Sequence, residues 1–144
     1  MSPLVACALT AVAAAAAGFI FHVAAEDRLQ SWISARMKGR SVSPSRKVLL
    51  PAALTSIESG AGLVVLYILV RENLPFENTI LRGLTVGFLV LAITGRLFRQ
   101  PLMNCLIGNP LKVVFIQDGS VWINWLLMCV VLAAVYEGLA PYAL

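Results

Sequence analysis

Glu58 is the residue whose position most needs a chemical explanation. It stands almost midway along an apolar run from Val48 to Val70, roughly 15 Å from either end at the helical rise of 1.5 Å per residue. A carboxylate that deep in a hydrocarbon layer is costly, so it turns to the protein interior, finds a donor or takes up a proton. Ser56, Ser59 and Gly60 flank it and leave space for a ligand or a water. Two readings stand side by side: a ligand site built on Glu58 and Ser59, or a neutral Glu58 bonded to a neighbouring helix as a packing element.

A second group of polar residues, His22, Arg96, Asp118 and Asn124, falls near the opposite ends of other apolar runs, at what should be one depth. An Arg96–Asp118 ion pair is expected there, with His22 and Asn124 completing its hydrogen bonds. In a binding protein, Arg96, Asp118 and Asn124 join Glu58 and Ser59 as ligand contacts. In an enzyme, Glu58 or Asp118 acts as acid or base and His22 assists, which suits an isomerisation, a cyclisation or a cofactor-independent oxidation. A lone histidine at a helix end is more often an interfacial residue with its hydrogen bonds satisfied than a proton carrier. At the far ends of their runs, Arg82 and Glu137 are expected to pair across the structure.

Other chemistries lack their residues. Cys7, Cys105 and Cys129 are odd in number and show no CxxC spacing, so neither a disulfide framework nor a zinc site is encoded. No nucleophile has a nearby base, and no phosphate-binding loop is present. No metal and no cofactor are expected.

The elements that hold these residues are set by composition. Apolar residues make up 60% of the 144 positions and charged residues 12%, a balance outside the range of soluble domains. Little length remains for a separate soluble domain. The net charge of +4 lies beside apolar spans with no nucleic-acid module around it, so nucleic acid is not an expected partner.

Crossing about 30 Å of hydrocarbon takes about 20 apolar residues. Four stretches meet that need: 3–25, 48–70, 80–98 and one within 113–140. The last starts at Val113 or at Gly119. The first start places Asp118 inside the membrane edge, and the second leaves it among headgroups. The fold expected is therefore all-α, a single four-helix integral membrane bundle.

Basic residues resist translocation. Arg28, Arg36, Lys38, Arg40, Arg46 and Lys47 crowd the first connection, and Arg99 and Lys112 lie in the third. Both termini are thus expected on the outer side. Val23, Ala24 and Ala25 before Glu26 also suit a signal peptidase, but the basic n-region is missing and the apolar stretch exceeds an h-region. Within 27–38, Leu29, Trp32, Ile33 and Met37 recur at helical spacing opposite basic residues, the pattern of a helix lying at the membrane interface. Gly83 with Gly87, and Ser56 with Gly60, form small-xxx-small pairs for close helix contact, inside the bundle or with a second chain.

The order of Arg82, Gly83 and Gly87, then Gly108, Asn109, Pro110, Leu111 and Lys112, then Asp118 and Gly119 resembles a family of small bacterial four-helix membrane proteins known only as a domain of unknown function. About sixty residues of the C-terminal half carry the likeness. Phe21, His22 and Val23 stand where that family has a Trp-Tyr-Ser-Pro-like end. The resemblance implies four helices in a bacterial inner membrane and no particular activity.

The leading expectation is a bundle that binds, or helps to move, a small apolar or amphipathic molecule within the bilayer. The alternative is an accessory subunit docked on a larger membrane protein or on its own copies, and the third is a small membrane enzyme using a buried carboxylate.

Overall fold

A computed structural model describes residues 1–26, 29, 36 and 46–142. The interfacial helix expected over 27–38 and the turn leading to residue 45 lie outside the described residues.

Five α-helices account for most of the described chain: α1 (Pro3–Phe21), α2 (Arg46–Val70), α3 (Thr79–Ile93), α4 (Arg99–Leu106) and α5 (Leu111–Leu139). Three of the apolar stretches, Pro3–Ala24, Ala53–Asn73 and Leu111–Tyr142, are long and apolar enough to cross a membrane. α3 is apolar but shorter.

Local chemistry fixes most boundaries. Ser2 caps α1 by accepting the Val5 N–H, with Pro3 in the first turn, where its missing N–H costs nothing. α1 ends in a π-helical turn over His22–Glu26. The Asn78 side chain accepts the N–H groups of Ile80 and Leu81 at 2.9 and 3.2 Å, satisfying donors that the start of α3 leaves open. One boundary corrects the sequence expectation and another decides it. The third span was expected to run to 98, yet α3 stops at Ile93. Thr94 donates its hydroxyl back to the Val90 carbonyl at 2.7 Å, and Gly95 has φ of 70°, a conformation open to glycine that ends a helix. The last helix begins at Leu111 and runs unbroken through Gln117, Asp118 and Gly119, within two residues of the Val113 start and against the Gly119 one.

Both chain ends lie at one end of the molecule, where the Met1 amine donates to the Tyr142 carbonyl at 2.8 Å. α2 finishes and α3 starts at that same end, because Tyr67 and Arg82 both reach Glu137 near the end of α5. α3 then runs back toward the start of α5, where Trp122 meets Arg96. Thus α1, α2, α3 and α5 lie side by side in alternating directions.

The core comprises Ala14 of α1, Leu63, Val64 and Tyr67 of α2, Val86 and Val90 of α3, and Met128, Cys129, Leu132 and Ala133 of α5. α3 packs along α5, and α1 packs along both α2 and α5. Three of the small residues singled out in the sequence, Gly60, Gly83 and Gly87, sit at these internal contacts. A Cβ on Gly60 would lie 2.6 Å from the Ala11 carbonyl oxygen, and one on Gly83 would lie 2.7 Å from Val130 Cα. Backbones that close cannot admit a side chain.

Candidate functional site: a cleft between two helices

α2 and α3 each pack on other helices but barely on each other, and a cleft of about 670 Å³ separates them. Thr55, Glu58, Ser59, Gly62, Leu63 and Leu66 line it from α2; Val90 and Ile93 from α3; Thr94 and Arg96 from the following turn; Trp125 from α5. Two smaller cavities of about 180 Å³ adjoin it through the shared residues Arg96 and Trp125. They add His22, Ser56, Ser120 and Asn124 to the polar lining. The cleft therefore has two zones. Leu63, Leu66, Val90 and Ile93 make an apolar one, and His22, Thr55, Glu58, Ser59, Arg96 and Asn124 a polar one.

Arg96 is held in place from α5. Trp122 donates its indole N–H to the Arg96 carbonyl at 2.9 Å, and the guanidinium carbon lies 5.6 Å from the centre of the Trp125 ring, within cation–π range. Trp122 and Trp125 are one helical turn apart and share a face. Trp122→Phe removes the donor, and we expect it to cost about 1 kcal/mol. Thermal unfolding in detergent reads this loss, with Trp122→His, which restores a ring donor, recovering part of it.

Glu58 is exposed and lines the cleft. Among the described residues neither Glu58 nor Arg96 has an oppositely charged partner. Asn124 is half-buried, with its side-chain oxygen enclosed and without a hydrogen-bond partner among the described residues. A buried acceptor in this state calls for a donor.

The structure brings His22, Glu58, Ser59, Arg96 and Asn124 to one connected region and leaves Asp118 out. Asp118 is 4% exposed, and its oxygens accept the Asn104 amide at 3.3 and 3.5 Å. The expected Arg96–Asp118 pair does not form. Trp125 lies about 10 Å along α5 from Asp118 at the helical rise, and the arginine turns toward the tryptophan. Asn104, on the short helix α4, covers the carboxylate instead.

At the far end, Arg82 and Glu137 pair at 3.2 Å, as the sequence led one to expect. Two further partners were missed: the Tyr67 hydroxyl donates to Glu137 at 3.0 Å, and Arg71 approaches it at 3.8 Å while stacking over Tyr136 at 5.2 Å. Tyr67 and Arg71 are four residues apart at the end of α2, a spacing that places them on one face and that offered the available signal.

No family model matches the chain, and no match is found among curated proteins or solved structures.

Proposed function

We propose that the chain crosses the bilayer four times with both termini on the outer side, and that the cleft between α2 and α3 binds a small amphipathic molecule, or helps to move it, within the membrane. The cleft carries this reading. It lies between two helices rather than in a loop, so in a bilayer its mouth faces acyl chains, and it sets a polar zone beside an apolar one as an amphipathic ligand requires.

Several features support the placement. α3 has 15 residues and spans about 22 Å, less than a usual hydrocarbon layer. A bilayer meets such a helix by thinning, or the turn beyond it sinks inward. The turn that would sink holds Arg96, whose long side chain can reach headgroups. The basic residues between Glu26 and Val48 favour the cytoplasmic side for that end.

The accessory-subunit reading has less to rest on, because Gly60 and Gly83 are spent on contacts inside the chain. The enzyme reading, with Glu58 or Asp118 as acid or base and His22 assisting, keeps Glu58 and His22 on adjoining cavities and loses Asp118, which is enclosed against Asn104.

Native mass spectrometry from gentle detergent tests the proposal. Gly62 lines the cleft and has open space where a Cβ would stand, so Gly62→Phe fills the cleft without disturbing the helix packing. We expect it to lower copurifying lipid at least about tenfold, equivalent to ~1.4 kcal/mol. Unchanged lipid retention by a normally folded Gly62→Phe protein overturns the reading.

A further inference from the structure

The polar zone holds charges of both signs that do not meet. Arg96 offers guanidinium N–H donors whose only described neighbour is the face of Trp125. Glu58 lines the same cleft from the opposite helix. Asn124 lines the smaller cavity that shares Arg96, Thr55 and Ser59 with the cleft, but its side-chain oxygen is enclosed and out of a ligand's reach.

A purely anionic head satisfies Arg96 but sets a second negative charge near Glu58 in a medium that screens poorly. A purely cationic head reverses the problem. A neutral hydroxylic head leaves both charges bare, a costly outcome within a membrane. One headgroup chemistry answers both charges at once: a phosphate for the guanidinium, joined to an ammonium whose N–H groups serve the carboxylate.

Resting on the ligand-cleft reading above, we infer that the cleft takes a zwitterionic phospholipid whose headgroup pairs a phosphate with a primary ammonium. The phosphate sits on Arg96. The ammonium lies on Glu58, and the start of an acyl chain runs along Leu63, Leu66, Val90 and Ile93. A trimethylated head keeps the charges but has no N–H to give, so it fits less well.

The test uses the full chain and three phospholipids with identical acyl chains, phosphatidylethanolamine, phosphatidylcholine and phosphatidylglycerol, supplied as an equimolar mixture before native mass spectrometry. The expected result is preferential retention of phosphatidylethanolamine. Glu58→Gln is expected to remove about tenfold of that preference, the scale of one charge-assisted hydrogen bond, and Glu58→Lys to shift it toward phosphatidylglycerol. Because Glu58 is exposed, both variants keep the packing, and circular dichroism with gel filtration verifies it.

Equal retention of the three lipids, or a preference that Glu58→Lys leaves in place, overturns the inference. If Gly62→Phe still depletes bound lipid in those cases, the cleft reading survives without its headgroup assignment. If Gly62→Phe has no effect on retention, the cleft reading falls and the headgroup inference falls with it.

Discussion

Replacing Gly83 by alanine is expected to destabilise the protein by about 3 kcal/mol, at the upper end of the cost of overpacking. A single added methyl group would stand 2.7 Å from Val130 Cα and 2.8 Å from the Cys129 carbonyl oxygen. Both are backbone atoms, which cannot swing aside as a side chain can. Relief requires α3 and α5 to part along a seam whose core residues Val86, Cys129 and Leu132 are at most 1% exposed. The same substitution at Gly138 meets nothing within 4 Å and is expected to be neutral or stabilising by up to about 1 kcal/mol, since alanine is the better helix former. Thermal unfolding of the two variants in one detergent checks this. Equal melting temperatures would mean that the close approach of α3 to α5 is wrong.

Glu137→Ala is expected to cost about 2 kcal/mol. The carboxylate is the common acceptor of Tyr67 and Arg82, and Arg71 lies beside it. Its removal leaves two guanidiniums near one another without the anion between them. The side chain is 24% exposed and that of Arg82 25%. Residual solvation keeps the cost below the 3–5 kcal/mol typical of breaking a fully buried pair. A double-mutant cycle of Arg82→Ala with Glu137→Ala isolates the pairwise contribution, for which we expect about 1 kcal/mol of coupling. Additive losses would show that the pair is incidental.

How far the fold was legible depended on what hydropathy measures. The apolar stretches of α1, α2 and α5 were evident because a window of apolar residues is what a crossing helix requires. The end of α3 was hidden because residues 80–98 are apolar almost throughout, and hydropathy is blind to a positive φ at Gly95 or to a Thr94 hydroxyl bonded back to its own helix. The start of α5 was blurred by Gln117 and Asp118, polar residues that read as a boundary and that the structure carries inside a continuous helix.

The site was legible in its polar members and not in their partners. Glu58, Arg96 and Asn124 stood out as polar groups in or beside apolar runs and Ser59 as a small hydroxylic neighbour of Glu58, and all four line the connected cavities. Trp122 and Trp125, which hold Arg96, gave no signal of that role, since tryptophan near a membrane surface is expected for its own sake. The Arg96–Asp118 pair was inferred from depth alone. Depth along a helix leaves open which way a long side chain turns, and α4, whose Asn104 takes the place of Arg96, was not foreseen as a helix.

The close contacts at Gly60 and Gly83 have a mechanical consequence. They weld α1 to α2 and α3 to α5, making two stiff boards joined along the α1–α5 seam like the covers of a book along its spine. Glu137 acts as a latch across the fore-edge at one end, binding residues from both boards. The gap at the other end, where α2 and α3 barely touch, carries no such latch among the described residues.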